Sequence, residues 1–124
     1  MNASGSGTRA LRKLTEVSSQ IEAAVLADAA GTVVASSFGS DETAAGVASR
    51  AAALLAAAEE RIGAERGRVT QLVAEANGGA VFVVRSDGGT IAAVTGRDPT
   101  HGLVFYDLKV TLRDATAAAE EERA

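Results

Sequence analysis

Three glycine-bearing turn signals constrain this chain more than any other feature. Ala29-Ala30-Gly31 separates the apolar runs IEAAVLAD and TVVASS. Asn77-Gly78-Gly79 separates RVTQLVAEA from AVFVVRS, and Asp87-Gly88-Gly89 separates AVFVVRS from TIAAVT. Asn-Gly and Asp-Gly suit the tight turns whose twist matches a hairpin. Strands joined this way run antiparallel. The pattern predicts a hairpin over residues 21–37 and a three-strand meander over residues 68–95. The runs at 21–28 and 80–86 are apolar on both faces, so both faces of the sheet need cover. The run at 68–76 is mixed and reads as an edge strand. Val69, Gln71, Val73 and Glu75 are expected on one side of it, and Thr70, Leu72, Ala74 and Ala76 on the other.

Between the hairpin and the meander lies the longest segment with one unbroken period, residues 40–63. Ala44, Val47, Ala51, Leu54, Leu55, Ala58 and Ile62 recur at three- and four-residue steps and form one helical face. Ser40 is placed to cap the N-terminus, with Asp41 and Glu42 in the first turn, and Gly63 to end the helix after Arg61. The opposite face carries Glu42, Ala45, Gly46, Ser49, Ala53, Ala56 and Glu60. A helix that meets only water usually carries long charged side chains there. This one is charged at its ends and small between them, which lets a partner's backbone or helix come close. The plainer reading is that Ala is the best helix former. Arg50, on the flank of the small face, is either solvated or a contact at the rim of an interface.

Two further helices complete the pattern. Thr8 is placed to cap a first helix with Leu11, Leu14 and Val17 on one side. Asp98 and Pro99 read as the N-cap and first residue of a last helix, with Val104, Phe105, Leu108, Leu112 and Ala115 as its core stripe. The expected order is α-β-β-α-β-β-β-α, an α+β fold. Residues 1–7, small and polar, are expected to be disordered. Residues 8–118 form the domain, and 119–124 a charged tail that frays.

The chain has 124 residues, which suggests one domain. Aromatics are only 3% of it, so the core is expected to be built of Val, Leu, Ile and Ala. A net charge of −4 gives no footprint for nucleic acid. With no cysteine, disulfide and thiolate chemistry are excluded. No apolar run is long enough to insert in a membrane, and no secretory leader is evident, so the expected place is the cytoplasm. No catalytic constellation, cofactor motif or metal site is found. His101, the one histidine, reads as a solvated residue at the start of the last helix. No P-loop is present. The pairs Asp41-Glu42 and Glu59-Glu60 read as surface charges, because helix neighbours point apart. Arg97 is a candidate anion contact at the start of the last helix, with a solvated residue as the plainer reading.

The hairpin AAVLADAAGTVVASS, the alanine-rich helix after it, the meander LVAEANGGAVFVVRSDGGTIAAVTG and the closing helix GLVFYDLKVTLRDA together resemble the Roadblock family (dynein light-chain-like). The resemblance is to its bacterial branch of gliding-motility MglB-like regulators in particular, and covers residues 11–118. It implies a profilin-like five-stranded antiparallel sheet, with the central helix on one face and the first and last helices on the other. It also implies a homodimer or heterodimer, built by pairing the strand after the central helix with its copy. Val69, Gln71, Leu72 and Val73 belong to that dimer edge strand. The implied partner is a small Ras-like GTPase, held on the face formed by Ala45, Gly46, Ser49, Arg50, Ala53, Ala56 and Glu60. Some gliding regulators carry a C-terminal extension that touches the GTPase a second time. The sequence ends at Ala124, soon after the last helix, so an activity that needs such an extension is not expected. The expected function is therefore a non-enzymatic homodimeric regulator or scaffold. The alternative is a small-molecule-sensing domain, since profilin-like sheets resemble those of sensors; it requires an internal pocket.

Overall fold

A computed structural model of the chain describes the backbone of residues 3–123 and the side chains of residues 5–63 and 65–117. The elements are α1 (Ala3–Val17), β1 (Ile21–Asp28), β2 (Val33–Ser36), α2 (Asp41–Ile62), a single 3-10 turn (Ala64–Arg66), β3 (Gln71–Ala76), β4 (Gly79–Ser86), β5 (Gly89–Thr95) and α3 (His101–Arg123). The five strands form one antiparallel sheet in the order β2-β1-β5-β4-β3. Each turn signal closes a hairpin. Ala76 faces Gly79 and Ser86 faces Gly89, which leaves Asn77-Gly78 and Asp87-Gly88 as two-residue loops. In the first hairpin the Asp28 carboxylate accepts from the backbone N–H groups of Ala30 and Thr32, both at 3.0 Å, while Gly31 sits at φ +90°.

The sheet has a separate core on each face. Alternate residues of β4 divide between them: Phe82 and Val84 join Leu11 and Leu14 of α1 and Val104, Leu108 and Leu112 of α3. Val83 joins Ala44, Ala51 and Leu55 of α2, with Val25 and Ala92. One helix therefore covers one face and two cover the other, as expected. The α2 caps are also as expected. The Ser40 hydroxyl accepts from Thr43 N–H at 3.1 Å, and Gly63 N–H returns to Glu59 O at 3.1 Å.

Several local expectations are corrected. α1 begins at Ala3, so residues 3–7 are helical rather than disordered. Ser6 is buried, and Gly7 lies so close to β2 that an added Cβ would stand 3.0 Å from the Ala35 Cβ. Small residues here let the helix settle on the sheet's edge. Met1 and Asn2 lie outside the described residues. α3 starts at His101, not at Pro99, because Asp98 takes φ +52° and cannot enter the helix. The first helical bond runs from Val104 N–H to Thr100 O, and Thr100 N–H donates to the Gln20 side chain at 2.6 Å. Arg97 consequently lies in the loop before α3, not on its free N–H groups. At the other end the backbone stays helical to Arg123, through the expected tail; the side chains of residues 118–124 lie outside those described.

The strand after α2 starts at Gln71, so the alternation predicted from Val69 breaks. Val69 and Leu72 both pack under α2, whereas Val73 packs on the α1–α3 side. Finally, three stripe residues are exposed: Val17, Leu54 and Ile62. Ile62 is the last residue of a 22-residue helix, about 33 Å long.

Candidate partner-binding surface

The two expected interaction elements are the outer face of α2 and the edge strand β3. On α2, Ala45, Ser49, Arg50, Ala53, Ala56 and Glu60 are exposed and Gly46 is half-buried. No other element covers this face among the described residues. The Arg50 side chain folds back along its own helix, and an added Cβ on Gly46 would meet its Nη1 at 2.9 Å. Leu54, 40% exposed, lies on the same flank as Arg50, and Ile62 is 45% exposed. Leu54 adds apolar surface on that flank, whereas Ile62, at the end of the helix, lies on the side of α2 opposite the small face.

β3 is the last strand of the sheet and pairs only with β4. The Arg85 N–H donates to Thr70 O at 2.8 Å, which fixes the parity of the ladder. Residues 72 and 74 turn their backbone groups towards β4. Those of Gln71, Val73 and Glu75 point to the free edge. Natural edge strands are commonly blunted by Lys, Pro or a bulge; QLVAEA has none of these.

Two contacts missed by sequence reasoning tie these elements to the rest of the fold. Arg85, on the α2 side of β4, donates to Glu59 in the last turn of α2 and, at 2.7 Å, to Val69 O. Its side chain is 15% exposed and that of Glu59 30%. Glu59 is thus a structural partner, not a free surface charge. The signal was a lone cation at the end of the most apolar strand, AVFVVRS. The second contact corrects the reading of His101. Its Nε2 lies 2.7 Å from Glu75 Oε1 on β3, and its ring meets Phe82 edge-on at 5.4 Å. A single sequence cannot pair residues so far apart.

Among the described residues no three His, Asp or Glu side chains are grouped to hold a metal ion. No described helix is long and apolar enough to cross a membrane.

Residues 9–95 match the Roadblock/LC7 domain. The chain belongs to the Roadblock/LC7 family. That span takes in the first hairpin, α2 and the whole meander, including both elements of the candidate surface. No curated protein sequence matches the chain. Among solved structures, a Roadblock/LC7 domain from Streptomyces avermitilis superposes with a TM-score of 0.78 at 19% identity, covering 89% of this chain and 94% of that one. The gliding protein MglB from Thermus thermophilus gives 0.69 at 21% identity, covering 96% and 92%. MglC from Myxococcus xanthus gives 0.54 at 21% identity, covering 89% and 96%. At these identities the likeness is one of fold, and it extends the Roadblock architecture over α3, beyond residue 95.

Proposed function

We propose that this Roadblock/LC7 chain is a non-enzymatic homodimeric regulator or scaffold, of the MglB-like kind, that binds a small Ras-like GTPase in the cytoplasm. The observation that carries this reading is the uncovered small face of α2. Alanines and Ser49 stand exposed along the middle of a 22-residue helix, and Leu54, 40% exposed, adds apolar area on the flank of that face. Small residues let another backbone approach, and exposed apolar side chains reward its arrival. The family resemblance supplies the class of partner.

The dimer follows from the other half of the surface. Pairing β3 with its copy would satisfy the outward backbone groups of Gln71, Val73 and Glu75 and make one sheet across two chains. It would also bring two copies of α2 together, doubling the small face. An MglB described with a tetrameric arrangement shares the fold, with a TM-score of 0.71 at 22% identity, and is in keeping with self-association.

The test is a pull-down from the source organism's lysate on the immobilised chain, once with GDP and once with a slowly hydrolysed GTP analogue. A small GTPase retained with the analogue supports the reading. Retention of no GTPase in either state overturns it.

A further inference from the structure

The free edge of β3 restricts how a second copy can pair with it. Gln71, Val73 and Glu75 turn their backbone groups outwards, while Leu72 and Ala74 turn theirs to β4. In an antiparallel pair an outward residue must stand opposite another outward residue. A two-fold axis can therefore cross the edge at Leu72, Val73 or Ala74. With the axis at Val73, Gln71 stands opposite the partner's Glu75 and Val73 opposite its own copy, so every outward residue of the strand is bonded. With the axis at Leu72, Glu75 stands opposite the partner's Val69, which precedes the strand and whose carbonyl is already taken by Arg85. With the axis at Ala74, Gln71 stands opposite the partner's Asn77, which lies in the turn. The axis at Val73 thus makes the most main-chain bonds.

The side chains favour the same register. Gln71, Val73 and Glu75 share the α1–α3 side of the sheet, where Val73 packs on the core and Glu75 Oε1 lies 2.7 Å from His101 Nε2. Among the described residues the Gln71 side-chain amide has no hydrogen-bond partner, and Glu75 has only His101. Because His101 already fixes the Glu75 carboxylate, little side-chain freedom is lost when a partner arrives. Residues directly opposite each other have Cβ atoms about 5 Å apart, within reach of an amide and a carboxylate.

We propose that two copies pair through β3 with the axis at Val73, and that Gln71 of each chain donates to the partner's Glu75, which His101 holds in place. This rests on the homodimer reading and adds to it the register and the side chains that select a copy of this chain. A related domain with an acid at the position of Gln71 is repelled by Glu75.

The chain has no cysteine, so introduced cysteines report the register. In the proposed one Leu72 faces the partner's Ala74 as a non-hydrogen-bonded pair, close enough for a disulfide. A mixture of Leu72→Cys and Ala74→Cys chains is expected to form a disulfide dimer under mild oxidation, and neither variant alone. Crosslinking of Leu72→Cys alone would place the axis at Leu72, and of Ala74→Cys alone at Ala74; either overturns the register and leaves the homodimer standing. A native chain that sediments as a monomer overturns the homodimer itself, and a dimer with no crosslink in any sample overturns pairing through β3. Gln71→Glu should weaken the dimer about tenfold, since like charges then face each other at both ends of the paired strands. Adding Glu75→Gln exchanges the two groups and keeps an acceptor for His101, and should return the dimer to within about threefold of native. A double variant no tighter than Gln71→Glu overturns the contact between Gln71 and the partner's Glu75.

Discussion

Arg85 and Glu59 form an ion pair between the end of β4 and the last turn of α2, and the same guanidinium holds Val69 O at 2.7 Å. One side chain therefore sets the end of the proposed partner-binding helix against the segment leading into the proposed dimer strand. Arg85→Ala leaves Glu59 and a carbonyl without their donor in a half-buried place. The expected cost is about 2 kcal/mol, between the values for exposed and buried pairs. Glu59→Gln keeps an acceptor and should cost about 1 kcal/mol. Urea unfolding, extrapolated to water, measures both. Equal losses in the two variants would show that the pair's charge, rather than its hydrogen bonds, carries the contact.

Gln71→Pro separates the free edge of β3 from its paired edge. The Gln71 N–H points away from β4, so proline there removes a donor from the outer edge and none from the β3–β4 ladder. The variant is expected to keep its melting temperature at low concentration and to sediment as a monomer where the native chain is dimeric. A dimer that persists in Gln71→Pro would rule out pairing through β3.

Ala53→Arg and Ala56→Arg place long cations on the small face of α2. Both positions are exposed, so the stability change is expected within about 0.5 kcal/mol. GTPase retention in the pull-down should be lost while circular dichroism stays native. Loss of self-association in the same variants would place these residues at the chain–chain contact instead.

Two glycines should respond differently to alanine. Gly89 has φ +152°, and an added Cβ would lie 2.3 Å from Ala27 O on the neighbouring strand. Gly31 has φ +90° with no atom within 4 Å of such a Cβ. Gly31→Ala is expected to cost about 1 kcal/mol, the backbone term alone. Gly89→Ala adds a clash with backbone that cannot move without opening the β1–β5 ladder, and should cost about 3 kcal/mol or more. Thermal unfolding of the two variants orders them.

The sequence by itself determined the elements and their sequential neighbours. Asn77-Gly78 and Asp87-Gly88 set two hairpins, because few other residues accept that turn geometry. Ser40 and Gly63 bounded α2, because they satisfy its end groups locally. The alternation of Phe82, Val83 and Val84 divided the two cores. All of these are forces between residues close in the chain. Only the tertiary structure decided the rest. Arg85 with Glu59, His101 with Glu75, the burial of Ser6 and the late start of α3 depend on elements meeting across the sheet. So does the exposure of Leu54 and Ile62, whose periodicity matched the core stripe.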